Sequence, residues 1–150
     1  MGQIAAILEL ARRRGESKAL TYTGEVTPAE AWILLKNAPG SVLVDVRSNA
    51  ELVWVGRVPN AIEIEWMHWP ERTSNPNFLA QIEAQVDKES LVMFLCRSAQ
   101  RSHHAAVLAT QHGYTQCYNI LEGFEGDRDA NQQRGSVGGW RKAGLPWSQS

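Results

Sequence analysis

Compact apolar runs alternate with capped helical segments along this chain, and few architectures accommodate that alternation. Residues 41–46, Ser-Val-Leu-Val-Asp-Val, form the β-branched run of a strand buried on both faces. Residues 91–95, Leu-Val-Met-Phe-Leu, form a second apolar strand. Thr27-Pro-Ala-Glu30 and Ser48-Asn-Ala-Glu51 are capping boxes, the first with proline at the first helical position. They predict helices over about 28–37 and from 48 up to the stop at Gly56. Two more helices are expected. One runs from Asn75-Pro76 to about 86, with Leu79, Ile82 and Val86 inward, and one covers 101–112, ended by Gly113. Residues 19–25, 61–65 and 116–120 complete the strand candidates, and 137–143 reads as a final short helix. The order predicts an α/β domain with a largely parallel sheet. In such domains functional groups gather beyond the carboxyl ends of the strands.

The 150 residues suffice for one domain with its own core. Ile4, Ile7, Leu8 and Ala11 fall on one helical face, so an N-terminal helical extension over 1–18 is expected ahead of a main domain over 19–150. Arg12, Arg13 and Arg14 follow that apolar stretch, the reverse of a secretory signal, and nothing approaches the length of a membrane span. A formal net charge of −1 gives no general nucleic-acid footprint. The two cysteines, Cys96 and Cys117, make no disulfide framework and suit a reducing, cytoplasmic compartment. No nucleic acid or membrane is therefore expected as a partner, and the chain is expected to be a monomer.

Chemistry concentrates after the second strand. Cys96 ends it, Arg97 and Arg101 lie in the short polar loop that follows, and a helical pattern begins at once. A thiol beneath a helix N-terminus, beside two arginines, is biased toward the thiolate and adjoins an anion pocket. A nucleophilic cysteine acting on an anionic substrate is the expectation. The Ser98 and Ser102 hydroxyls are placed to bond the sulfur or cap the helix. Asp45 and Arg47, at the end of another strand, suit a positioning ion pair with Glu51 as a further partner. His103 and His104 are adjacent on a helix and diverge by about 100°, so no metal site is expected. Gly123 and Gly126 lack the strand-to-helix setting of a nucleotide loop, and no cofactor is expected. Cys117 reads as a packed core thiol, and Trp66, Trp69 and Trp140 are candidates for a pocket mouth.

Four ordered motifs resemble the rhodanese-like family of single-domain sulfurtransferases. They are Leu43-Val-Asp-Val-Arg47 with Glu51, Gly56-Arg-Val-Pro-Asn-Ala61, Cys96-Arg-Ser-Ala-Gln-Arg-Ser102, and Gly138-Gly-Trp-Arg-Lys-Ala-Gly-Leu-Pro-Trp147. The chain departs from the family pattern at Val58 and Asn60, where histidine and glycine are common, and at Ala99, where the loop usually has glycine. The resemblance implies a central, mostly parallel five-stranded sheet with helices on both faces, plus the extra N-terminal helix. It implies a persulfide on Cys96, cradled by Arg97, Ser98, Ala99, Gln100, Arg101 and Ser102, with Asp45, Arg47 and Glu51 supporting the loop. The implied donor is thiosulfate or a similar small sulfur anion, and the implied acceptor is a thiol, cyanide or a protein. A persulfide relay or regulatory module for a protein partner is the alternative. A phosphatase or arsenate reductase on the same fold is less favoured, because only four residues separate Cys96 from Arg101 where those relatives have five.

Overall fold

A computed structural model describes residues 2–150. Its elements are α1 (Gln3–Ser17), β1 (Gly24–Val26), α2 (Pro28–Asn37), β2 (Val42–Asp45), α3 (Asn49–Trp54), β3 (Ile62–Glu63), β4 (Met67–His68), β5 (Thr73–Ser74), α4 (Phe78–Gln85), β6 (Leu91–Leu95), α5 (Gln100–Gln111) and β7 (Gln116–Ile120). Five strands form one parallel sheet in the order β1-β7-β6-β2-β3. The α/β architecture expected from the sequence is thus the observed one. Both capping boxes close as read, with each Thr or Ser hydroxyl on the N3 amide and each N3 glutamate returning to the cap amide.

The two-residue period of the strands divides the core into two layers. Val44, Val92, Phe94 and Cys117 face α4 and α5, against Phe78, Ile82, Ala105 and Ala109. Leu43, Met93, Leu95 and Ile120 face the other way, against Ala31 and Leu34 of α2 and Ile7 and Ala11 of α1. Cys96 continues the Val92–Phe94 parity and emerges at the carboxyl end of β6 on the α5 side. Asp45 ends the adjacent β2, in register with Leu95.

Three segments differ from the sequence expectation. The strand read over 19–25 is confined to Gly24–Val26, because Ala19 turns left-handed (φ 54°) and Leu20 N–H closes on Gly15 carbonyl as the chain leaves α1. Residues 137–143 form turns, not a helix: Gly139 lies against Glu125 and Gly126, and Trp140 N–H bonds across to Gly123 carbonyl at 2.8 Å. The hairpin of β4 and β5 had no recognised signal and stands outside the main sheet. Asn60, at one departure from the family pattern, adopts φ 65°, a conformation asparagine accepts more readily than most residues.

Helix α1 is fixed by close backbone approach. A Cβ on Gly24 would stand 2.2 Å from Ala11 carbonyl oxygen, and one on Gly15 would stand 2.7 Å from Thr23 carbonyl oxygen. Arg14 reinforces the contact with paired bonds to Glu30 on α2 at 2.7 and 3.1 Å. Gly24→Ala should therefore push α1 off β1 and lower stability by about 1–3 kcal/mol. Urea denaturation checks this, and an unchanged midpoint would mean that α1 is not tightly seated.

Candidate active site

The loop between β6 and α5 is held chiefly by its carbonyl groups. Cys96 carbonyl accepts from Phe124 N–H at 2.8 Å, and Arg97 carbonyl accepts from Glu125 N–H at 3.0 Å. Ala99 carbonyl accepts from the Asn119 side-chain amide at 3.0 Å. Gly123 is required for this seam, since a Cβ there would lie 2.4 Å from the Arg97 carbonyl. With three carbonyls engaged, the peptide N–H groups remain. None from Arg97 to Ser102 has a protein acceptor among the described residues. The helix that follows has no side-chain cap, so its first amides join that unpaired set. A run of unpaired backbone donors has the makeup of an anion-binding nest.

Ala99 takes φ 79° and ψ 3°, in the left-handed region. An alanine there costs about 1–2 kcal/mol relative to an unstrained conformation. Alanine, where the family usually has glycine, is thus held left-handed at the expense of local strain.

Cys96 is 1% exposed, and its Sγ lies 3.2 Å from Ser102 Oγ. Ser102 does not cap the helix, and Ser98 does not either. Instead, Ser102 Oγ donates to Asn119 Oδ1 at 2.5 Å, while Asn119 Nδ2 is turned to Ala99 carbonyl. That second bond fixes which end of the amide faces Ser102. The serine has a single proton and gives it to Asn119. With that proton committed to Asn119, Ser102 meets the Cys96 sulfur with its oxygen lone pairs. The unpaired loop amides are the groups left to receive charge once the thiol proton departs. Asn119 escaped the sequence analysis; its one signal was a polar residue inside a strand that is otherwise apolar or aromatic where buried.

The charged residues sort into two pairs. Arg47, wholly buried, grips Asp45 with bonds of 2.7 and 2.9 Å, donates to Gly56 carbonyl at 2.9 Å, and stacks 4.1 Å over Phe124. Glu51 does not join that pair as expected. It takes two bonds from Arg101, at 2.7 and 2.8 Å, besides those from Ser48. Burial raises the Glu51 carboxyl, but the Arg101 bonds and charge, with the Ser48 amide, outweigh it and hold the group at about 2. The attraction that Arg101 was expected to offer a substrate anion is directed at Glu51. Burial pushes the Cys117 thiol up to about 11, in keeping with a packed core residue.

A cleft of about 710 Å³ opens over Cys96. Arg97, Ser98, Gln100 and Arg101 form its floor with Cys96, Trp54 and Glu51 come from α3, and Trp69 and Arg72 come from the β4–β5 hairpin. Arg128 and Arg134, from the polar segment after β7, complete it. Of the three tryptophans proposed for the mouth only Trp69 is there: Trp66 packs edge-on to Phe78, and Trp140 is buried. No cluster of metal ligands occurs among the described residues, and no helix is long and apolar enough to cross a membrane.

Comparison with known proteins identifies the family. The family profile of the rhodanese-like domain matches residues 27–130. An uncharacterized protein of Rickettsia conorii is 34% identical over 125 residues, covering 81% of this chain and 94% of that protein. The thiosulfate sulfurtransferase GlpE of Haemophilus influenzae is 26% identical over 102 residues, 68% of this chain and 85% of that protein. The crystal structure of Rv0390 from M. tuberculosis superposes with a TM-score of 0.79 at 44% identity, over 86% of this chain and 99% of that one. The chain belongs to the rhodanese-like domain family.

Two measurements probe the loop. Ala99→Gly removes the left-handed strain and should raise stability by about 0.5–1 kcal/mol in chemical denaturation; a loss would show that the alanine methyl makes a compensating contact. Asn119→Ala frees the Ser102 proton to turn toward sulfur, so iodoacetamide should alkylate Cys96 several-fold faster at neutral pH. An unchanged rate would mean that Ser102 already donates to the sulfur.

Proposed function

We propose that this protein is a sulfurtransferase that carries a sulfane sulfur as a persulfide on Cys96. The observation that carries the proposal is the cysteine at the base of an arginine-lined cleft, inside a loop whose amides lack acceptors. The Cys96 thiolate attacks the outer sulfur of thiosulfate or a similar donor. A new S–S bond forms, the donor S–S bond breaks, and sulfite leaves with the bonding pair. An acceptor nucleophile then attacks the outer sulfur and returns Cys96 as the thiolate, so the exchange runs through a covalent intermediate. Amides from Arg97 to Ser102 supply fixed donors for the terminal persulfide charge without reorganisation during the reaction.

Two features favour sulfur over phosphate as the transferred group. The loop has four residues between Cys96 and Arg101. Arg101, the residue that would clamp phosphoryl oxygens, is held by both oxygens of Glu51. The family membership and the likeness to a thiosulfate sulfurtransferase support the same reading. Asp45, Arg47 and Glu51 act as braces: Arg47 carries Phe124, and Glu51 carries Arg101.

Intact mass after incubation with thiosulfate tests the proposal. The wild type should gain one sulfur atom, and Cys96→Ser should gain none while keeping its circular dichroism. A gain in Cys96→Ser would place the carrier elsewhere. No gain in either protein, with thiosulfate and with an organic persulfide, would overturn the proposal.

A further inference from the structure

The cleft is much larger than the donor requires. A volume of about 710 Å³ corresponds to roughly two dozen waters, against the handful of atoms in thiosulfate. Its charge is also segregated. The chain is close to neutral, with a net charge of −1. Most of its lysines and arginines sit in salt bridges. Among the described residues, those without a carboxylate partner are Arg72, Arg97, Arg128, Arg134, Lys36 and Lys142, and the four arginines all line this cleft. The carboxylates in the cleft do not offset them, because Glu51 is held by Arg101 and Glu125 faces Arg141 at 3.9 Å.

Two exposed tryptophans line the same cleft: Trp54 is 79% and Trp69 55% exposed, and Arg72 stacks 5.4 Å from the Trp69 ring. Exposed tryptophan and unpaired arginine together are the composition of a protein-binding hot spot. Cys96 itself is 1% exposed at the base, so whatever takes its sulfur must arrive on a slender group.

We propose that this cleft docks an acidic, extended segment of a protein acceptor, with its carboxylates on Arg72, Arg97, Arg128 and Arg134 and its cysteine directed down to the Cys96 persulfide. The inference rests on the sulfurtransferase reading and names the acceptor class. Sulfur moves in one step: the acceptor thiolate attacks the outer persulfide sulfur, its S–S bond forms as the Cys96 S–S bond breaks, and Cys96 leaves as thiolate. No further oxidant or reductant enters.

The test uses the full chain and two synthetic peptides of equal length, each with one central cysteine, flanked in one by glutamates and in the other by lysines. The protein is first loaded with sulfane sulfur, and loading is verified by mass. Transfer to each peptide is then timed against transfer to 2-mercaptoethanol as the baseline for each variant. The acidic peptide should react on the order of 10-fold faster than the basic one at low salt, with the gap closing at high salt. Arg128→Glu with Arg134→Glu should shrink or invert the preference relative to that baseline. Equal peptide rates with normal loading would overturn the docking surface alone. Glutathione matching the acidic peptide would overturn it in favour of a small anionic thiol. Fluorescence anisotropy of serine versions of both peptides with Cys96→Ser reads docking without chemistry. Equal affinities there would overturn the proposal even if loading failed.

Discussion

The site depends on the capture of three carbonyl groups. Peptide planes have two ends, and fixing the oxygen of one end fixes where the N–H of the other points. Phe124 and Glu125 amides hold the Cys96 and Arg97 carbonyls, and the Asn119 side chain holds that of Ala99. The loop is thereby turned so that its donors are free of protein acceptors. This is also why a residue with a Cβ can occupy position 99 in a left-handed conformation: the strain is local and small, and the surrounding bonds determine the path.

These bonds connect the cysteine loop to distant parts of the chain. Phe124 rests under the Arg47 guanidinium, which is locked to Asp45 at the end of β2 and to the Gly56 carbonyl. Glu51, fixed by the capping box of α3, reaches Arg101 in the first turn of α5. Adjacent strand ends, two helix starts and the segment after β7 therefore meet around one sulfur atom. The carboxyl edge of a parallel sheet is the place where such convergence is available, because successive strands all end there.

Much of this was legible from local sequence. The capping boxes at Thr27 and Ser48, the apolar run before Cys96 and the break at Gly113 are short-range signals, and the elements that they predicted formed with bounds shifted by a few residues at most. Partner choice was less legible, because it is set by how elements pack. Nothing near Glu51 in sequence distinguishes Arg47 from Arg101, and only the docking of α5 beside α3 decides it. Asn119 was missed for the same reason, since its role appears only when β7 lies beside β6. Residues 137–143 misled in the other direction: their helical composition is overridden by cross-loop bonds that press two glycines against the neighbouring turn.

Among the described residues, the side chains of Arg97, Ser98 and Gln100 make no hydrogen bond, although all three line the cleft. The amide cradle does not rely on them, because the backbone and Asn119 hold it. The backbone donors and the cleft-lining side chains are thus separable parts of one short loop. Under the proposed sulfur transfer, exchanging these three side chains would alter what the cleft receives while leaving the amide cradle in place.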